Sequence, residues 1–266
     1  MLHRFRFCLL LTFGALAAAP AATAQIGGRR TMQFLDLPTN ARLAGLGGVN
    51  VSAPAPNDPQ AALANPALLD TAVAGKLAFS YVNFVRDVGQ NSLQYGFRVK
   101  KFGTLSAGLT YLNYGTFEGF DDAGNTTGTF QAKDYAFSVT AARTQGPFTL
   151  GATVRLAASN YAANRSSAIA ADFGARFQHP NQRLSVGLAV RTVGAQLRPF
   201  DGAEREPLPF DVQLGLSYKP EHMPVRFSVT AHRLYQFDIV YLDPDAPGKL
   251  DENNNEIKPT KKRADK

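Results

Sequence analysis

The chain contains no tryptophan, one cysteine and four histidines among its 266 residues. The single cysteine, Cys8, lies in an apolar run near the amino terminus, so nothing downstream can build a disulfide framework or a thiolate metal centre. His179, His222 and His232 come with neither an HExxH spacing nor a cysteine pair, which leaves zinc-hydrolase chemistry without ligands. Charged residues make up 18% of the chain, with 28 Lys and Arg against 21 Asp and Glu for a net charge of +7. That excess is scattered except in the tail, at Lys261, Lys262, Arg263 and Lys266. No basic patch interleaved with stacking aromatics is present, so no nucleic-acid partner is expected. Nor is there an apolar run of about 20 residues, the length a membrane-spanning helix needs.

What is present begins with a secretory signal. Arg4 and Arg6 form a basic start, Cys8 to Ala19 an apolar stretch, and Ala22-Thr23-Ala24 a small-residue cleavage site before Gln25. Residues 1–24 are therefore expected to be removed on export, leaving a chain without thiols. Residues 25–75 lack a strand period and are rich in Ala, Gly, Pro and Asn. Leu43-Ala44-Gly45-Leu46-Gly47-Gly48 reads as a tightly packed turn, and Asn65-Pro66 ends any helix begun at Gln60. The expectation is a compact plug with a short helix, as opposed to a flexible leader.

From Leu77 onward the pattern has a period of two. Leu105, Ala107, Leu109 and Tyr111 alternate with Thr104, Ser106, Gly108 and Thr110, and similar rows recur through Leu77–Phe84, Leu93–Val99, Tyr135–Ala141, Phe148–Leu156, Ile169–Phe177, Leu184–Val190, Val212–Tyr218 and Val225–Ala231. Successive side chains of a strand point to opposite faces, so nine strands with one apolar face are predicted. Opposite the apolar rows fall Arg98, Arg155, Asp172, Arg176, Arg191, Asp211 and Arg226. A soluble sandwich gives the same alternation. Connections favour another solution, because short turns at Lys100–Gly103, Arg143–Gly146, His179–Gln182 and Lys219–Met223 alternate with longer loops at Gly115–Ala132, Ser159–Ser166 and Gly194–Leu208. Tight turns at one end and long loops at the other characterise outer-membrane barrels.

The predicted fold is thus all-β: a transmembrane up-and-down antiparallel β-barrel spanning residues 76–242, plugged by 25–75 and followed by a polar external tail, 243–266. Its apolar rows would face outer-membrane lipid and the seven charged residues the lumen. Nine strands break the even count of closed bacterial barrels, so the sequence is expected to lack its last strands. No catalytic, metal or cofactor constellation emerges. Gly45-Leu46-Gly47-Gly48 lacks the Lys-Ser/Thr of a phosphate loop, and Asp121-Asp122-Ala123-Gly124-Asn125 has turn chemistry at a hairpin tip with a weak suggestion of calcium. The segments best suited to a protein partner are Phe117–Phe130 and Gln196–Pro207, which mix aromatic, Arg and acidic residues.

Several stretches together resemble a known family. They are Gly27–Pro38 (GGRRTMQFLDLP), Ala41–Gly48, Asn65–Leu69 (NPALL), Tyr111–Gly115, Pro207–Gly215 (PLPFDVQLG) and Tyr218–Pro224. This set is similar to the PorV/PorQ family of FadL-like outer-membrane barrels in the Bacteroidetes type IX secretion system, and within it to the PorQ type. The resemblance implies a FadL-like barrel with more strands than the nine read here, and a plug motif carried by Arg42, Gly47, Gly48, Asn65 and Pro66. It implies a non-enzymatic role in the surface attachment complex, anchoring a PorZ-like partner beside PorU and PorV. A FadL-like transporter of hydrophobic molecules is the rival expectation, and a soluble secreted β-domain a third.

Overall fold

Rows of β-branched and aromatic residues alternating with small polar ones fit a pleated strand. The computed structural model of the protein describes residues 30–100 and 102–236, with the backbone of residues 249–250 and 256–257. Nine strands follow in order: β1 Leu77–Val85, β2 Val88–Val99, β3 Gly103–Phe120, β4 Thr126–Gln145, β5 Phe148–Tyr161, β6 Asn164–Gln178, β7 Leu184–Arg198, β8 Asp211–Tyr218 and β9 Phe227–Ala231. Each pairs antiparallel with its sequence neighbour in one sheet, and among the described residues β1 and β9 remain unpaired edges. The chain is all-β with little helix: α1, Ala41–Gly45, and short 3-10 turns at Gln33–Asp36, Pro59–Leu63, Pro66–Leu68 and Thr71–Val73. Among the described residues no helix is long and apolar enough to cross a membrane.

Residues Arg29–Tyr235 form one compact unit. Lys249–Leu250 and Glu256–Ile257 make a small antiparallel pair, β10 and β11, in a second unit. The signal-peptide and cleavage readings, and most of those on the 243–266 tail, lie outside the described residues.

Burial in the sheet is inverted relative to a soluble protein. Along β5, Leu150 is 64% and Val154 52% exposed, whereas Thr149, Thr153 and Arg155 are buried. The same holds for Leu93 against Gln94, Phe137 against Ser138, and Leu216 against Ser217. Apolar rows thus point outward all along the sheet, and the polar rows lie under the N-terminal segment 30–75, which we call the plug. Its own apolar residues make small knots: Met32, Phe34 and Leu35 pack with Leu112, Ala136, Ala157, Ala168, Ala170 and Leu208, and Leu69 and Val73 pack with Ala142.

Connections differ from the sequence expectation. The segment read as a loop from Gly115 to Ala132 is mostly hairpin, with only residues 121–125 outside β3 and β4. Ser159–Ser166 likewise shrinks to a two-residue tip, Ala162 and Ala163, between β5 and β6. Polar residues such as Thr126, Thr127 and Thr129 hide strand character because their alternation is not apolar against polar. Of the expected long loops only residues 199–210 remain, and Gln196 belongs to β7, where it is buried. At the turn end the β8–β9 connection, residues 219–226, is longer than the β1–β2 and β5–β6 tips, so loop length alone does not sort the two ends.

One irregularity re-aims a side chain. Ala171 pairs with Val193 and Phe173 with Val190, so Asp172 opposes two residues, Arg191 and Thr192. Thr192 has φ 56°, rare for a β-branched residue. It is held by its N–H donating to Asp172 Oδ1 at 2.7 Å. This bulge buries both Arg191 and Thr192 under the plug.

Candidate functional site

The plug crosses the whole polar face. It starts where Thr31 N–H donates to Pro207 O in the β7–β8 connection, and ends where Gly75 N–H donates to Gly96 O near the other end of β2. Short polar side chains fold it locally. Asn40 caps α1, its Oδ1 accepting from Leu43 N–H at 2.7 Å. Past the helix, Gly48 N–H bonds Leu43 O and Gly47 N–H bonds Ala44 O, a Schellman ending. Both glycines have positive φ, 83° and 84°, and a Cβ on either would meet nothing within 4 Å. The tight packing expected there is therefore corrected: these glycines answer a backbone requirement. Arg42 reaches across to Pro54 O at 2.7 Å.

Asn65 is the centre of the seat. Fully buried, it accepts from Ala67 N–H through Oδ1 at 2.9 Å and donates from Nδ2 to Val51 O at 2.7 Å and to Leu188 O of β7 at 3.4 Å. Pro66 begins the following 3-10 turn, where it has no N–H to lose. Backbone this close to a sheet needs positions without side chains. A Cβ at Gly174 would lie 2.0 Å from Asn65 Oδ1, at Gly151 2.5 Å from Pro66 C, at Gly187 2.1 Å from Val51 O and at Gly96 2.5 Å from Val73 O. Gly151 pairs with Gly174, and Gly187 with Gly215; because Gly174 itself opposes Ala189, the second pair is set two residues nearer the turn end, and the glycines form a stepped row on which the plug lies.

On the side of the glycines toward the β3–β4 hairpin end, charges tie the plug to the sheet as well. Arg155 (4% exposed) contacts Asp172 (0%) at 2.5 Å and donates to Leu63 O of the plug at 2.8 Å. Arg191 donates to Leu35 O at 3.0 Å and approaches Asp36 at 3.8 Å. Surrounding protein pushes the Asp36 carboxyl above the usual carboxylate range and the Arg191 charge opposes it. Its side chain remains 41% exposed, so solvent screens both effects. Gln60 bridges to Ser92 O at 3.0 Å and accepts from Ser80 at 2.7 Å, and Ser52 meets Ser217 at 2.8 Å.

No known protein family, curated protein or solved structure matches the chain.

Of the seven charged residues read from the alternation, the structure gathers Arg155, Asp172 and Arg191 beneath the plug. Asp211 is also buried, accepting from Gln213 at 2.7 Å and from Arg233 N–H at 2.5 Å. Arg176 is half-buried on the same face. Arg98 is exposed near the turn end of β2, and Arg226 is half-buried just before β9, so neither joins the cluster. Among the described residues no three His, Cys, Asp or Glu side chains gather as metal ligands. Both Asp121 oxygens accept bonds within their own turn, from Ala123 N–H, Asn125 N–H and Asn125 Nδ2.

Sequence reasoning missed the glycine row, Gln60 and the knot at the hairpin end where Tyr114 and Tyr161 both donate to the buried Asp134, at 2.6 and 3.1 Å. A signal for the first was present: Gly96, Gly151, Gly174, Gly187 and Gly215 all fall in phase with the polar rows. Read with Asn65-Pro66, that phase points to a backbone lying on the sheet.

Proposed function

We propose that this chain is a non-enzymatic outer-membrane β-barrel protein of the PorQ type, which holds a large surface protein at the cell exterior for the type IX attachment machinery. The observation that carries the reading is the inverted burial: large apolar side chains outside, polar and charged ones under a plug. In water such a face would be a severe liability. In lipid it is the stable arrangement once the β1 and β9 edges, unpaired among the described residues, are closed by further pairing.

The dimensions fit. On the outer face a row of aromatics, Phe148, Phe177, Tyr218 and Phe227, runs near the turn end, with Phe148 and Phe177 rings 5.2 Å apart. A second row, Tyr81, Tyr111 and Tyr135, crosses in register with Ala158, with Tyr111 and Tyr135 rings 5.1 Å apart. Phe148 to Ala158 is ten steps along one strand, roughly 33 Å at about 3.3 Å each. Tilted by about 40°, that gives a band near 25 Å, the height of the apolar belt in outer-membrane barrels. Strands run well past the Tyr row at the hairpin end and stop close to the Phe row at the other, which supports an exterior hairpin end. The plug and the buried arginines of β5 and β7 beneath it suit a fixed scaffold better than a greasy passage, and the partners implied are PorZ, with PorU and PorV.

Two measurements test this. Membranes carrying the protein are washed with alkaline carbonate and then solubilised; the reading expects release only with detergent, and release without it overturns the membrane assignment. A detergent pull-down then expects large surface proteins to co-purify. A barrel recovered alone with bound lipid would favour the transporter instead.

A further inference from the structure

The hairpin of β3 and β4 outruns its neighbours. The last β2 partner of β3 is Gly89, opposite Asn113, and the last β5 partner of β4 is Tyr161, opposite Ala132. Beyond them Thr116 to Phe120 pair only with Thr126 to Gln131. This is a two-stranded ribbon with both outer edges unpaired, apart from one bond from Ala162 N–H to Gln131 O. Ribbons of two strands are marginal in water, and bare edges invite another strand.

Its side chains say which strand. Phe117, Phe120 and Phe130 are 42%, 60% and 40% exposed, and the Phe117 and Phe130 rings stack at 5.4 Å. Glu118, Asp121 and Asp122 are its charges, and no Lys or Arg occurs from Phe102 to Ala132. A second copy would bring like charge against like charge. An edge lined by phenylalanine and carboxylates instead suits a chain that alternates basic and apolar residues.

We propose that the 116–131 ribbon is a strand-addition dock for a basic, extended segment of a surface protein. The added strand takes its main-chain hydrogen bonds from the open edge and its selectivity from the carboxylates and phenyl rings. The free edge is about 17 Å long, enough for roughly five residues. This rests on the outer-membrane reading, which puts the hairpin end outside the cell, and it supplies that reading with a mode of attachment.

The test uses the full chain in detergent and two synthetic heptapeptides, one alternating Lys with Val and one alternating Glu with Val, followed by amide hydrogen exchange. With the basic peptide, exchange at Phe117–Phe120 or Thr127–Phe130 is expected to slow at least tenfold, and with the acidic peptide not at all. The double substitution Glu118→Lys with Asp122→Lys is expected to reverse that preference. Equal slowing by both peptides, no slowing, or an unchanged preference in the double variant overturns the proposal. The detergent requirement of the same preparation is scored separately, so the dock can fail while the membrane assignment stands, and the reverse.

Discussion

Three glycines of the plug and its seat allow packing, backbone conformation and neither to be separated. A Cβ at Gly174 would meet Asn65 Oδ1 at 2.0 Å and Ala67 N at 2.8 Å, inside a hydrogen-bonded turn that cannot shift without losing its bonds. Overpacking costs about 1–3 kcal/mol. Losing two of the three Asn65 bonds adds roughly 0.5–1.5 kcal/mol each. Gly174→Ala should thus loosen the plug centre by about 2–6 kcal/mol, leaving the strand ladder, which makes no use of that space, intact. Gly47→Ala meets nothing but has φ 83°, and should cost about 1–2 kcal/mol through strain alone. Gly45→Ala, in α1 with open space and no positive φ, should be neutral or stabilising by up to about 1 kcal/mol. The assay is amide exchange at Ala67 and Leu68 with limited proteolysis of residues 51–58, followed against exchange in β5 and β6. If Gly174→Ala leaves Ala67 as protected as Gly45→Ala does, the argument that the row of glycines seats the plug is wrong.

Further outcomes can be measured alongside. Asp172→Asn removes the charge facing Arg155, and a buried cation left without its partner is expected to cost about 3–5 kcal/mol, read as a lower denaturation midpoint; Arg155→Met with Asp172→Asn, which keeps an amide oxygen for the Thr192 N–H, should recover much of it. Val154→Arg, on the outer face, should impair membrane assembly by about 2–4 kcal/mol if Val154 meets lipid near the midplane, whereas at a water-exposed site the change would stay within about 0.5 kcal/mol. The Asp121 carboxyl is held below the usual range mainly by the Asn125 N–H and then by its side chain. Its folded value is depressed, so its contribution to the hairpin tip is present above the ordinary Asp value and is lost as pH falls through the folded one. Exchange at Asn125 should accordingly quicken only in acid below the usual Asp range, and Asp121→Asn should abolish that dependence.

The nine strands were legible because alternation is a local property, and their order followed because neighbouring strands in a meander pair. The hairpin extensions were not legible. Thr126, Thr127 and Thr129 carry strand propensity without an apolar row, so the period-two signal fades along the hairpin. In the plug, Asn65-Pro66 announced a turn, but its partners Leu188 and Gly174 lie more than a hundred residues away. Nothing near Asn65 in sequence could say that its Nδ2 would meet a strand. Arg98 and Arg226 show the limit of phase as a guide, since facing the polar side does not bury a residue that sits at a strand end.

An alternating strand is equally consistent with an apolar face turned inward or outward, and only what covers the polar face decides. Here that face is covered by the chain itself, and the cover leaves no choice. Gly151, Gly174 and Gly187 admit a backbone and nothing larger, while Arg155 and Arg191 find carbonyl oxygens of Leu63 and Leu35 only if the plug is in place. With the polar side filled, the rows of Leu93, Leu150, Val154 and Leu216 have no interior left to enter. Among the described residues nothing covers those rows, and the outer-membrane proposal supplies the apolar medium they would need.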